Sequence, residues 1–237
     1  MGFSRKSFLF SGAIQSGERG ITVAHATRPG DEIVLHSDDA SSVDTIGRCL
    51  ETYDKLQPQT GGQITADLAL LKLFPKKCSV HNSVRWPIPS GRTLQIKIYK
   101  GQRVPDDTAV MILDQNGCFR YGNIRRDHLT DMDLEQTDLY NVLAICNKIG
   151  QKEVSVTKSG DSGALVMSCP NNDSDVVYVY GIVTHIYTDE VTIGCKPIER
   201  SLTIANSLWD VVQELRTNPT YCTEFQNNNN SQDIDFA

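Results

Sequence analysis

The chain has 237 residues, of which 39% are hydrophobic, so it is long enough to bury a core as one domain or as two small lobes. A formal net charge of −6 argues against nucleic acid as the main partner. No apolar run in the sequence approaches the length of a membrane span, and we expect neither nucleic acid nor a membrane among the partners.

Short apolar segments separated by turn residues follow one another along the chain. They lie at residues 20–24, 33–35, 68–73, 94–99, 109–113, 140–146, 164–167, 176–180 and 191–193. Many short strands with regular turn signals favour a β-barrel or β-sandwich over alternating βαβ units. The segment at 7–14 is too short and too interrupted for the core of a signal peptide, and we interpret it as a further strand.

The end of the chain has a different pattern. Residues 201–216 have a helical period and predict a C-terminal helix. The apolar face of that helix would consist of Leu202, Ala205, Leu208, Trp209, Val212 and Leu215. Four consecutive asparagines at 227–230 indicate that residues 217–237 form a disordered tail. Prolines and a glycine at residues 75–91 mark an extended connection between two strand-rich halves, residues 1–84 and 85–200.

The segment Gly160-Asp161-Ser162-Gly163 places a serine in a glycine-rich turn. A serine hydroxyl is a poor nucleophile unless an imidazole takes its proton and a carboxylate orients that imidazole. The glycines beside it would let the backbone N–H groups of Gly160 and Ser162 stabilise a developing oxyanion. Ser159 and Ser168 lie nearby, but neither lies between glycines.

Two upstream segments supply an imidazole and a carboxylate in suitable contexts. His25 ends the apolar run at 20–24, and Asp67 directly precedes the buried-strand pattern at 68–73. We therefore predict His25 as general base, Asp67 as the residue that orients it, and Ser162 as nucleophile. The weaker candidates lack a matching context; they are His36, His81, His128, Asp44, Asp54 and Asp106.

Together these segments resemble the chymotrypsin-like (trypsin-like) serine endopeptidases, which carry Thr-Ala-Ala-His, Asp-Ile-Ala-Leu-Leu and Gly-Asp-Ser-Gly in this order. Residues 180–184 are similar to the family's Gly-Ile-Val-Ser strand, which lines the substrate cleft, and residues 201–212 to its C-terminal helix. The resemblance spans about residues 8–216. It implies an all-β fold of two antiparallel six-stranded barrels, an acyl-enzyme mechanism, a protein or peptide substrate, and no cofactor or metal.

The chain departs from the secreted members of that family in two ways. Ala26 and Lys158 occupy positions where those members carry disulfide cysteines, and the seven cysteines are irregularly spaced. We therefore expect reduced cysteines and a cytoplasmic, intracellular protein. The start of the chain has no Ile-Val-Gly-Gly-like segment to engage Asp161 after propeptide cleavage.

Asp161 would then either pair with an internal cation or belong to a chain excised from a longer protein. The cations that we considered are Lys158, Arg125 and Arg126. We expect activity to be regulated by neighbouring domains or partner chains. The alternative function is a catalytically silent protease-fold module that binds a peptide or protein partner; the presence of all three triad residues favours an active enzyme.

For the substrate-binding residues, the resemblance implies Val156, Thr157, Thr184 and His185. Val156 stands where trypsin-like members carry the carboxylate that binds Lys or Arg, so that specificity is not expected. Thr157 and His185 are similar to residues that read Glu or Gln in glutamate-specific bacterial endopeptidases and viral main proteases, but His185 lies about two positions later than the family's histidine. The sequence therefore leaves Glu or Gln at the cleavage site as one hypothesis, and a medium apolar pocket floored by Val156 has at least equal support. In another interpretation, His185 replaces the tryptophan that flanks the cleft in trypsin-like members.

Overall fold

The computed structural model describes residues 9–11, 19–36, 43–58, 64–74, 83–85, 93–100, 104–114, 118–125, 141–150, 152–170, 175–218 and 220. The strands are β1 (Leu9–Ser11), β2 (Arg19–Thr22), β3 (Glu32–His36), β4 (Val43–Leu56), β5 (Ile64–Leu73), β6 (Ser83–Arg85), β7 (Thr93–Ile98), β8 (Ala109–Leu113), β9 (Phe119–Ile124), β10 (Val142–Ile149), β11 (Lys152–Ser155), β12 (Leu165–Ser168), β13 (Val176–Ile193) and β14 (Lys196–Ser207). A 3₁₀ turn (Ala24–Ala26) follows β2, and a helix, α1 (Leu208–Thr217), follows β14.

The first sheet contains five antiparallel strands in the order β1-β2-β5-β4-β3. Its central strand β5 is covered on both faces: Leu68 and Leu70 pack in one core cluster, while Ala69 and Leu71 pack in another. A strand that is buried on both sides needs a continuous apolar run rather than an alternating one. The apolar segment at 68–73 therefore marks a buried strand, as predicted.

The second sheet contains a closed ring of six strands. β8 pairs with β9, β9 with β10, β10 with β14, β14 with β13, β13 with β12, and β12 with β8, each pair antiparallel. The ladder of pairings thus returns to its first strand, as in a six-stranded barrel, which leaves no free edge inside the ring. β11 extends this sheet from β10, and β7 and β6 extend it from β13.

The predicted all-β architecture with a C-terminal helix is confirmed. The change of sheet falls between the end of β5 at Leu73 and β6, so the predicted boundary at 84–85 lies inside β6. The strand predicted at 20–24 ends two residues earlier, at Thr22, and continues as the 3₁₀ turn. The predicted tail lies outside the described residues except for residues 217, 218 and 220.

The C-terminal helix begins at Leu208, and the prediction that residues 201–207 are helical is wrong. Those residues complete β14, where Leu202 and Ile204 pack in one cluster and Ala205 packs in another. On α1, Leu208, Val211, Val212 and Leu215 are buried in the core cluster that also contains residues of β2 and β5, and Trp209 packs against that cluster partly buried. Within the described residues, no helix has the length and apolar character needed to span a membrane.

Candidate active site

His25 and Asp67 contact each other through two hydrogen bonds. The backbone N–H of His25 donates to Oδ1 of Asp67 at 2.9 Å, and the ring Nδ1 lies 2.8 Å from Oδ2. Because a carboxylate only accepts, Nδ1 carries the hydrogen, and the lone pair of a neutral ring is then on Nε2. Asp67 thus fixes both the orientation and the tautomer of His25.

A β-bulge turns Asp67 toward the histidine. Between the pairs Tyr53↔Leu68 and Lys55↔Thr65, β5 contributes two residues, Ala66 and Asp67, opposite one residue of β4. Asp67 has a φ of +37°, which is uncommon for a residue other than glycine. Bulges re-aim side chains in this way and are frequent beside functional sites.

Ser162 lies in the second of two consecutive β-turns, 158–161 and 161–164, which share Asp161. The N–H of Asp161 donates to the carbonyl three residues earlier at 3.1 Å, and its carbonyl accepts from the N–H three residues later at 3.0 Å. Gly160 and Gly163 occupy the third position of these turns with φ values of +95° and +91°. A turn with positive φ at its third position favours glycine, which explains why glycines are found on both sides of Asp161-Ser162.

The same turns leave two backbone donors beside the serine. In the part of the chain that the structure describes, neither the N–H of Gly160 nor that of Ser162 donates to any acceptor. Both residues line the cavity described below. Free backbone donors next to a nucleophile can stabilise a developing oxyanion, which is the role predicted for them.

The hydroxyl of Ser162 donates to the carbonyl of Thr184 at 3.0 Å. Among the described residues, no hydrogen bond joins it to His25. Side-chain hydroxyls move between staggered rotamers, so rotation about χ1 can break this hydrogen bond and release the hydroxyl. The two residues line the same cavity, on elements from different sheets.

That cavity has a volume of about 280 Å³. Its lining residues are His25, Thr157, Lys158, Ser159, Gly160, Ser162, Val183, Thr184, His185 and Ile186. Three of the four predicted substrate-binding residues are therefore brought together beside the predicted triad. The fourth, Val156, is not in the lining: it is 4% exposed and packs in the barrel core.

A group of hydroxyls supports the wall that carries Thr157. Thr203 Oγ1 accepts from the N–H groups of Val156 at 3.0 Å and Thr157 at 3.1 Å, and it lies 2.8 Å from Thr157 Oγ1. Ser155 Oγ is also within 2.9 Å of it. Thr203 could not be identified from the sequence, because it falls in the segment that is predicted to be helical.

His185 directly follows a second β-bulge, at Thr184 of β13. Its Nδ1 lies 3.0 Å from Thr184 Oγ1, which itself donates to the carbonyl of Ile204 at 3.2 Å. The hydroxyl therefore accepts from Nδ1–H, and a neutral ring has its lone pair on Nε2. Partial burial lowers the pKa of His185; the charge of Asp67 opposes this effect and that of His25 adds to it.

Asp161 is 2% exposed, and its Oδ2 accepts the backbone N–H of Lys158 at 2.9 Å. Of the three cations considered as partners of Asp161, Lys158 therefore contacts it through its backbone N–H. Arg125 pairs with Asp107 at 2.9 Å, and residue 126 lies outside the described residues.

Five cysteines are described, and all are free thiols: Cys49, Cys118, Cys146, Cys169 and Cys195. Residues 78 and 222 lie outside the described residues. The described residues contain no group of three or more His, Cys, Asp or Glu side chains that could hold a metal ion.

No protein-family model and no curated protein matches the sequence. Solved structures do match the fold. A glutamic acid specific serine protease, described as using a histidine triad in substrate binding, has a TM-score of 0.50 and 13% identity over 88% of this chain and 89% of its own. Thermobifida fusca Protease A has a TM-score of 0.50 and 14% identity over 90% of each chain. Cellulomonas bogoriensis chymotrypsin has a TM-score of 0.47 and 15% identity over 89% of this chain and 87% of its own. The two structures with a TM-score of 0.50 show that the chain has the chymotrypsin-like serine protease fold that its sequence motifs implied.

Proposed function

We propose that the chain is a serine endopeptidase that hydrolyses peptide bonds through an acyl-enzyme. The observation that carries this proposal is the double hydrogen bond by which Asp67 holds His25, a residue that lines the same cavity as Ser162. A histidine that is fixed in one tautomer, with Nε2 free to accept, is the element that a serine needs to become a nucleophile.

In the proposed reaction, Ser162 Oγ attacks the substrate carbonyl while Nε2 of His25 takes the hydroxyl proton. Asp67 stabilises the imidazolium that forms. The carbonyl oxygen becomes an oxyanion and accepts from the N–H groups of Gly160 and Ser162. His25 then gives its proton to the leaving amine, the C–N bond breaks, and water repeats these steps on the ester to release the acid and the free serine.

The test is covalent labelling with a fluorophosphonate probe, followed by mass spectrometry of the labelled peptide. We expect labelling at Ser162, and we expect Ser162→Ala to abolish both labelling and peptide hydrolysis. Ser159→Ala is the matched control, because Ser159 lines the same cavity three residues earlier. Loss of labelling in Ser159→Ala, or labelling that persists in Ser162→Ala, would contradict the assignment of the nucleophile.

One observation favours a second candidate function, a catalytically silent module that binds a peptide in the cleft. The Ser162 hydroxyl donates to the Thr184 carbonyl and not to His25. If that hydrogen bond persists when substrate binds, the serine stays inactive. Wild-type protein that binds peptides in a manner sensitive to cleft substitutions, but is never labelled and hydrolyses none of them, would support this second function over the first.

For specificity we propose Glu or Gln at the cleavage site, with an apolar residue as the alternative. Thr157 and His185 line the cavity together, and a neutral His185 can accept an amide hydrogen at Nε2 whereas a protonated one can donate to a carboxylate. The glutamic acid specific protease with this fold also uses histidines in substrate binding. Because Val156 is buried in the core, it does not contribute an apolar floor to this cavity.

Cleavage profiling with a peptide library tests the specificity. We expect Glu and Gln to dominate before the scissile bond, and His185→Leu to shift the profile toward apolar residues while hydrolysis continues. Lys158→Met is the control, since it changes the lining near Ser162 without removing the histidine. A preference for Lys or Arg would contradict both the Glu or Gln specificity and the apolar alternative.

We further propose that the protein is intracellular, with activity restrained by partner chains or adjoining domains. The five described thiols, none of them in a disulfide, support a reducing compartment.

A further inference from the structure

Asn141 connects the two sheets next to the bulge that carries Asp67. It lies directly before β10 and is 2% exposed. Its Nδ2 donates to the backbone carbonyl of Thr65 on β5, across 76 residues of chain. Its own carbonyl accepts the N–H of Ser207, at the end of β14, at 2.7 Å. The asparagine is thus fixed to the six-stranded ring on one side and to the first sheet on the other.

The carbonyl that Asn141 binds is the last one before the bulge, since Ala66 and Asp67 follow Thr65. A backbone conformation such as the φ of +37° at Asp67 persists only when its surroundings impose it. Ala66 and Leu68 are each 0% exposed and hold the strand through packing. Packing of these two side chains does not itself fix the peptide plane between Thr65 and Ala66 at the edge of the bulge. A hydrogen bond to the carbonyl oxygen of Thr65 restrains that plane directly.

We propose that Asn141 is a positioning residue for the triad: it orients the Thr65 peptide so that the Asp67 carboxylate reaches both N–H groups of His25. Its effect on catalysis rests on the proposed serine endopeptidase function. Its effect on the contact between His25 and Asp67 is independent of that function, because the contact can be observed in the resting protein.

Asn218 provides a matched control. It is 3% exposed, and its Nδ2 also donates to a backbone carbonyl of the first half of the chain, that of Gln57, at 3.0 Å. Gln57 directly follows β4, so this bond acts on the strand opposite Thr65 and not on β5, which carries Asp67. A general contribution of buried amides to stability predicts at least as large an effect for Asn218, which also bonds Glu214 and Thr220, whereas a positioning role predicts a selective effect for Asn141.

The experiment compares Asn141→Leu with Asn218→Leu in the full chain, because leucine keeps the number and branching of the side-chain heavy atoms and removes the donor. We expect both variants to unfold at lower denaturant concentration. We expect Asn141→Leu to lose about 10- to 100-fold in kcat with little change in KM, since a displacement of about 1 Å of a catalytic group has such an effect. Asn218→Leu should keep the wild-type kcat.

The second readout is the NMR signal of the His25 Nδ1 proton, because the hydrogen bond to the Asp67 carboxylate slows the exchange of this proton with water. It should weaken or disappear in Asn141→Leu and persist in Asn218→Leu. A wild-type signal and kcat in Asn141→Leu would overturn the proposal, and so would equal losses in both variants. If Asn141→Leu does not fold, Asn141→Ser, whose hydroxyl is too short to reach Thr65, takes its place with the same expected results. If the wild type is inactive but the signal depends on Asn141 alone, the proposed function fails while the positioning role stands.

Discussion

Unusual backbone conformations occur at single residues of the proposed active site. Asp67 has a φ of +37°, and Gly160 and Gly163 have φ values of +95° and +91°. For the glycines such a conformation has little steric cost, whereas Asp67 stays strained by about 1–3 kcal/mol. The sequence was sufficient to propose His25, Asp67 and Ser162 as a triad, and the contact between His25 and Asp67 agrees with that proposal. The conformation of Asp67 could not, because nothing in its own side chain requires a positive φ.

His185 offers a test of the electrostatics of the cleft at the same scale. Burial lowers its pKa below the usual 6.5, the charge of Asp67 opposes this, and that of His25 adds to it. We expect Asp67→Asn to lower the pKa of His185 further and His25→Gln to raise it. An NMR titration of the imidazole protons measures each midpoint, with Asp54→Asn, at an exposed position of β4, as a control that should change nothing.

The lowered pKa of His185 also determines how the stability of the fold changes with pH. A histidine whose pKa is lower in the folded state binds fewer protons folded than unfolded, so stability falls as pH decreases through 6.5 toward the folded pKa. His185→Gln should therefore flatten the stability profile on the acid side of 6.5. A His185 midpoint at or above that of a free histidine would contradict the arrangement.

At the scale of elements, the sequence was informative where the pattern of apolar residues fits one kind of element. It was misleading where the same pattern fits both a helix and a strand. The run at 68–73 predicted β5, and the periodic residues from Leu208 onward predicted α1. The start of the helix was misplaced because Leu202 and Ala205, three residues apart, also suit a strand covered on both faces. Single-sequence periodicity cannot distinguish these cases, since the second face is buried by distant strands.

The β-bulges show a second limit at this scale. The bulge in β5 consists of two residues that lie opposite one residue of β4. The bulge at Thr184 is a shift in the register of β13 against β14. A bulge belongs to a pair of strands, so one strand's sequence does not specify it. For the same reason neither Asn141 nor Thr203 could be assigned a role: each acts on a segment brought close only by the folded sheets.

At the scale of the whole molecule, the cleft lies where two strand systems share one core. The core cluster that buries Leu68 of β5 also contains Leu165 of β12, Ile182 of β13 and the apolar face of α1. His25 and Asp67 come from the first system and Ser162 from the second, as the motif order implied. The closed ring of six strands was expected only through the family resemblance, because ring closure depends on the pairing of β10 with β14, about 60 residues apart in the chain.

The state of the thiols reports on the whole fold and on the expected reducing compartment. Burial raises the pKa of Cys146 to about 11 and also raises that of Cys49, so little thiolate is present at either. Cys118 and Cys195 are exposed. With iodoacetamide at about pH 8 and no reductant, we expect rapid modification of the two exposed cysteines, because reaction needs an accessible thiolate.

Cys49 and Cys146 should react only at the rate of global unfolding, and at once in guanidinium chloride, as peptide mass spectrometry would show. Comparison of the native and denatured reactions in the same preparation separates burial from disulfide bonding. A buried cysteine gains access when the core opens, whereas a cysteine in a disulfide stays unmodified even in denaturant until a reductant is added. Resistance of any of these four cysteines in denaturant would therefore contradict the free thiols and, with them, the proposed intracellular location.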